Sequence, residues 1–112
     1  MARLMSVSLT EQAVLEREKT VTRRLGWRFC KPGDQLQLCR KVMGRKPGEP
    51  LDRICMVEVV SVRRERLDAI TDEEVTREGF YPLNALWFVD FFCEEMRVTP
   101  DTEVTRIEWK YL

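Results

Sequence analysis

Six consecutive residues, Lys19-Thr20-Val21-Thr22-Arg23-Arg24, bring three cations and two hydroxyls together. Two kinds of chemistry follow from such a set. Arginines offer bidentate hydrogen bonds to phosphate, and lysine offers a compact positive charge. A threonine hydroxyl becomes a nucleophile once a neighbouring base takes its proton. Lysine can be that base when burial or nearby cations pull its pKa toward 7, and Arg23 and Arg24 act in that direction. Lys19 and Thr22 are three positions apart, so in a regular strand they would face opposite sides. The segment must bend or bulge for them to meet. The plainer alternative is an exposed basic edge, with the threonines serving β-propensity.

Other chemistries have less material. The chain has no histidine, the commonest general base. Four cysteines stand at Cys30, Cys39, Cys55 and Cys93, none in a Cys-x-x-Cys pair. Close Cys or Cys/His pairs are the usual zinc signature, so no metal and no cofactor is expected, and the thiols read as small buried groups in a reducing compartment.

Net charge is zero over 112 residues, but the distribution is uneven. Residues 17–46 hold ten Lys/Arg against two acids, a balance of +8, and residues 65–112 hold five against twelve, a balance of −7. The asymmetry predicts an electropositive face for RNA or another phosphate-bearing partner, unless folding brings the halves together. Of the 19 basic residues 14 are arginine. Apolar residues make up 44% and charged residues 34%, an ordinary globular composition for a single domain over 1–112. No window approaches the roughly 18 apolar residues of a membrane span, and the N-terminus lacks a signal-peptide core. A cytoplasmic protein is expected, with a monomer favoured.

The elements that must position these residues can be read from the pattern. Leu4–Leu9 alternates and predicts a short strand. Thr10 offers an N-cap to a short helix ending near Glu18. The Lys19–Arg24 segment predicts a strand edge beside a cleft. Lys31-Pro32-Gly33-Asp34 is a turn, with Pro32 presetting its own dihedral and Gly33 supplying a positive φ. Gln35–Arg40 alternates, with Leu36 and Leu38 on one face. Residues 44–50 hold two Gly and two Pro in seven residues and predict a mobile surface loop, either a lid or a plain insertion. Arg53–Arg64 predicts a strand near the sheet centre. Thr71 and Glu74 form a capping box for a helix that Gly79 stops. Asn84 caps a second helix whose Trp87, Phe88, Phe91 and Phe92 form an apolar stripe, read as core packing, with a stacking platform for bases as the alternative. Glu103–Leu112 alternates as a closing strand with an aromatic face. This order fits an α+β fold, most simply a small curled sheet or barrel with helices at its ends.

The order and spacing of these pieces resemble the ASCH domain, a small β-barrel of the PUA-like superfamily. The resemblance rests on Lys19 to Arg24, on Lys31 to Asp34 before a strand, on a Val-rich strand, and on Thr71 to Gly79 with Glu78 before the glycine. It implies a cleft beside the Lys-Thr motif that takes RNA or a nucleotide or nucleoside ligand. Lys19, Thr20, Arg23, Arg24 and Arg28 would bind it, with Arg40 and Lys41 as further candidates. One bacterial branch consists of amidohydrolases that deacetylate N(4)-acetylcytidine with a Lys-Thr-x-Thr-x-Arg motif. By that resemblance Thr22 would be the nucleophile, Lys19 its base, and Glu78 a proton-shuttling or orienting partner. An acid near a helix C-terminus is unfavourable, so either a cation or a function must hold Glu78. A concave pocket joining Lys19, Thr22 and Glu78 would favour hydrolysis. An open basic face would favour binding.

Overall fold

The structure is a computed structural model that describes residues 2–44 and 46–112. Five strands form one mixed sheet in the order β1 (Arg3–Ser6), β3 (Gln35–Cys39), β4 (Arg53–Arg66), β5 (Glu103–Tyr111), β2 (Val21–Arg24). All pairings are antiparallel except β1 with β3, a parallel pair that the sequence pattern did not reveal. β4 is the central strand, longer than predicted, and register shifts at Leu38/Cys39 and Val59/Ser61 interrupt its ladders with both neighbours. Such irregularities bend strands and increase local twist. The result is a curled half-barrel with three α-helices, the α+β architecture expected.

Two apolar clusters hold it together. Val14 of α1 (Glu11–Leu15) packs with Met5, Leu36, Leu38, Val57, Ile107 and Trp109 of the sheet. The strict alternation of Leu36 and Leu38 is thus explained, since both are fully buried. The second cluster joins Val75 of α2 (Asp72–Glu78) and Phe88, Val89 and Phe92 of α3 (Ala85–Met96) to Leu67, Ile70 and Val104. β5 is therefore buried on both faces. Val104 belongs to the helical cluster, and Ile107 and Trp109 belong to the sheet cluster.

The first predicted strand is shorter than expected. It ends at Ser6, and Ser8–Thr10 forms a 3-10 helix, because β3, its pairing partner, ends at Cys39. Thr10 makes no side-chain cap; it is buried against Gly79 instead. α1 stops short of Glu18 because Arg17 adopts a left-handed conformation (φ 61°) and Glu18 and Lys19 both donate to the Ala13 carbonyl. Asn84 accepts from the Trp87 amide at 2.9 Å and caps α3 as read.

Gly79 ends α2 at φ 102°, where its missing Cβ is required twice over. A Cβ there would sit 2.9 Å from Ala13 Cβ and 3.2 Å from Thr10 Cγ2. The glycine lets the C-terminus of α2 lie against the Thr10–Ala13 segment, which seats the adjacent Glu78. Gly79→Ala combines left-handed strain with overpacking and is expected to cost about 3 kcal/mol, read as a lowered urea midpoint with unchanged m-value.

Candidate functional site

β1 and β2 are the two open edges of the sheet, and the cleft lies between them. Arg24 spans the gap by donating from Nη2 to the Ser6 carbonyl at 2.7 Å. The cleft has a volume of about 220 Å³. One wall is polar, with Lys19, Thr22, Arg24 and Glu78, and the other is aromatic, with Phe80, Phe88, Phe91 and Phe92. The aromatic stripe of α3 therefore has two duties. Phe88 and Phe92 pack in the helical core, and the same helix lines the cleft. Trp87 stacks on Phe91 with centroids 4.9 Å apart.

Lys19 and Glu78 meet in an ion pair, and both are 3% exposed. Lys19 Nζ donates to the Glu78 backbone carbonyl at 2.6 Å and to its Oε1 at 3.2 Å. It thereby satisfies an orphan carbonyl at the end of α2 while neutralising an acid in an unfavourable place. Glu78 Oε2 accepts from Arg23 Nη1 at 3.1 Å. The acid is thus held by two cations of the motif. Lys19 precedes β2, so strand alternation does not govern it, and it shares the cleft wall with Thr22. Its carbonyl accepts from Trp109 Nε1 at 3.1 Å and from the Tyr111 hydroxyl. Burial pulls the Lys19 pKa down, Glu78 opposes this, and Arg24 and Arg23 add to it.

Thr22 is 3% exposed, and its Oγ1 accepts from Arg24 Nε at 3.2 Å. Lys19 Nζ is engaged by Glu78, so the three residues line one cleft without forming one hydrogen-bonded triad. Thr20 lies outside the cleft lining, its hydroxyl accepting from Arg77 Nε at 3.0 Å. Arg28 also lies outside it and pairs with Glu103 on the surface. Arg23 lines the cleft, but its side chain is buried and its guanidinium contacts Glu65, Glu74 and Glu78. Among the described residues no carboxylate lies within ion-pair distance of Arg24.

Glu65, Glu74 and Arg106 were not read as site residues. Sheet register explains their presence. Arg23, Arg106 and Arg63 stand directly opposite one another across β2, β5 and β4, an arrangement of like charges that is unfavourable alone. Glu74 enters from α2, 2.8 Å from Arg23 and 2.6 Å from Arg106, and Glu65 lies 3.1 Å from Arg23 and 2.7 Å from Arg63. The capping box is consequently half made. Thr71 accepts from the Glu74 amide at 3.2 Å, but the Glu74 carboxylate faces the arginines. Its position one turn before Glu78, on the same helix face, was the available signal.

These pairs also alter the expected electropositive face. Acids outside this segment meet Lys19, Arg23, Arg28, Arg40 and Lys41, so much of the excess on 17–46 is neutralised on folding. Loop residues 44 and 46–50 do not line the cleft; Arg45 falls outside the described residues. Among the described residues no group of three or more acidic, Cys or His side chains could hold a metal ion, and no helix is long and apolar enough to cross a membrane.

A curled mixed sheet with a cleft between its open edges and a helical pair beside it is the fold of ASCH domains. The structure superposes on the ASCH domain of Lactobacillus crispatus with TM-score 0.63 and 18% identity, over 92% of this chain and 70% of that one. The ASCH protein of Zymomonas mobilis gives TM-score 0.61 and 13% identity, over 97% and 65%. A protein of Enterococcus faecalis described under the family model DUF984 gives TM-score 0.74 and 13% identity, over 100% and 77%. No family model and no curated protein matches the sequence itself. The likeness lies in the fold.

Glu74 supplies a test of the network. Burial by itself would raise its pKa, but hydrogen bonds from Arg106 and Arg23 outweigh this and hold it at about 2, below its ordinary 4.5. A depressed carboxylate contributes stability above its unfolded pKa and loses it as pH falls through the folded one. The stability difference between wild type and Glu74→Gln is expected to be full above pH 4.5 and to shrink steadily toward pH 2. Urea titrations at a series of pH values read it; a difference independent of pH would show that Glu74 is not held by charge.

Proposed function

We propose that the cleft binds one nucleoside unit, either as part of an RNA or as a free nucleoside or nucleotide. The observation that carries this reading is a cleft of about 220 Å³ lined both by an aromatic cluster and by charged and hydroxyl side chains. That is smaller than the ~300–1,000 Å³ of drug-sized sites and suits one flat heterocycle. A base stacks on phenyl rings by its face and presents hydrogen-bonding groups at its edge, and such stacking contributes about 1–3 kcal/mol per base. Arg24, Lys19 and Thr22 supply donors at that edge, and Glu78 and Thr22 supply acceptors. Arg23 acts here as a support that fixes Glu78. Titration calorimetry with cytidine is expected to give saturable binding. Phe91→Ala is expected to weaken it 5- to 100-fold while circular dichroism confirms the fold. Folded wild-type protein that binds neither nucleosides nor short RNA would end this reading.

A second reading has its own support, the burial of a lysine with a lowered pKa on the same wall as a threonine hydroxyl. Arg24 Nε occupies an acceptor site on Thr22 Oγ1, which leaves the hydroxyl proton to donate. Amide hydrolysis requires the Lys19 amine, in its neutral form, to turn from Glu78 toward Thr22 and take that proton. Thr22 Oγ1 then attacks the acetyl carbonyl, with Arg24 placed to receive charge on the oxygen. The amine leaves with the proton from Lys19, and water hydrolyses the threonyl ester to acetate. With N(4)-acetylcytidine, wild type is expected to turn over, and Thr22→Ala and Lys19→Met to lose at least 100-fold. The wild-type rate should rise with pH through the lowered Lys19 pKa. Absent turnover by protein that binds cytidine would leave the cleft a binding site only.

A further inference from the structure

Arg24 faces two spaces. Besides the nucleoside-sized cleft it lines a second, larger groove of about 510 Å³, which Leu4, Met5 and Ser6 of β1 also border. Ser6, Ser8 and Arg24 border both, so the two spaces adjoin. The walls of the second groove differ in kind. Trp27 supplies an aromatic face, Lys41 and Arg40 supply cations, and Leu4 and Met43 supply apolar contact.

The donors of Arg24 are only partly engaged. Nε goes to Thr22 and Nη2 to Ser6. Nη1 makes no hydrogen bond among the described residues, and since no fully buried side-chain nitrogen there lacks a partner, it keeps some exposure. Arg40 is different, being held by Glu11 at 2.6 Å and Asp52 at 2.8 Å. It serves as wall. Lys41 is half-exposed and meets Glu49 at a loose 3.6 Å. An exposed pair of that kind contributes little and exchanges readily for a phosphate. Trp27 is held by its backbone, with Gly26 and Trp27 both in left-handed conformation (φ 73° and 52°) and the Gly26 carbonyl accepting from Thr105 Oγ1. A bulky residue at positive φ persists only where its surroundings dictate it. Here that turn brings Trp27 into the groove lining, where it also packs against the sheet core, with the Phe29 ring centroid 5.1 Å away.

We propose that this groove is a second subsite that takes the next nucleotide of a single-stranded RNA. The linking phosphate would sit between Arg24 and Lys41, with the neighbouring base against Trp27. This rests on the nucleoside reading of the first cleft and narrows it, because a free nucleoside leaves the second groove empty. An arginine shared by two spaces, each with an aromatic side chain in its lining, follows the order of base, phosphate and base along a strand. A duplex has no access to either space with its bases stacked.

The experiment compares cytidine, the dinucleoside monophosphate CpC and a 10-base-pair RNA duplex by calorimetry, with wild type and Lys41→Gln. In CpC a phosphate lies beside whichever base enters the cleft. CpC is expected to bind wild type at least tenfold more tightly than cytidine. Lys41→Gln should remove most of that gain without changing cytidine affinity, and the duplex should bind more weakly than CpC. The gain should fall with salt, by about 0.7 in log K per log unit for one phosphate contact. In an ¹⁵N NMR titration the Trp27 indole N–H should shift with CpC and not with cytidine, a readout independent of any variant. Cytidine binding with no gain for CpC, or a gain untouched by Lys41→Gln and without a Trp27 shift, would overturn the second subsite and leave the first intact. Absence of binding by both ligands would overturn the two together.

Discussion

The buried contact of Glu78 with Lys19 and Arg23 is the constraint on which the rest of the site depends. Removing ions from water costs several kcal/mol each, and the attraction between them offsets this only when every partner is well bonded. Here both carboxylate oxygens are engaged, the lysine also caps a helix, and the arginine has three acids around it. Removing one member leaves a buried charge without compensation, a loss of about 3–5 kcal/mol. Replacing a whole buried group by apolar side chains is often neutral, so stability alone does not account for its presence. What the cluster does secure is position: it pins the segment before β2 to the end of α2, and that seam is the polar wall of the cleft.

The same seam separates two hydrophobic cores. The sheet core closes over α1, and the helical core closes over the start of β5. Neither closes the space between β1 and β2, where Arg24 crosses by a side chain rather than a strand ladder. A gap that hydrogen bonds bridge and aromatic rings flank differs from a packed core in one respect: its polar groups have spare capacity. Arg24 combines that capacity with freedom from any direct carboxylate partner among the described residues. Arg23, its neighbour in sequence, has the opposite fate, because it points into the acids of α2 and β4. Strand alternation makes that difference, since adjacent residues face opposite sides of a sheet.

Charge asymmetry along the chain gives a misleading picture for the same reason. The basic first half and the acidic second half are complementary surfaces of one fold, with Arg23 joined to Glu65, Glu74 and Glu78 across β2, β4 and α2. Glu74 shows how a local rule yields to a tertiary one. The Thr71–Glu74 spacing makes a capping box, and the helix does start there with Thr71 as cap. The Glu74 carboxylate faces two arginines brought opposite each other by the register of β2 and β5, because a charge-assisted bond to each is stronger than a bond to one backbone amide.

The sequence by itself determined the local elements: the alternating strands, the turn at Pro32-Gly33, the helix caps at Thr71 and Asn84, and the stop at Gly79. These depend on side-chain period and backbone dihedrals within a few residues, which are properties of the segment. Resemblance to a family, rather than any local pattern, put forward Lys19, Thr22 and Glu78 as candidates for one site. Only the tertiary structure decided the parallel pairing of β1 with β3, which arginine of the pair would be tied to carboxylates and which would be left without one among the described residues, and the joining of α3's aromatic stripe to the Lys19 wall. Those outcomes depend on register and on contacts between residues more than fifty positions apart, as between Lys19 and Glu78. No local pattern encodes them, because their energies exist only once the sheet has curled and the two cores have met.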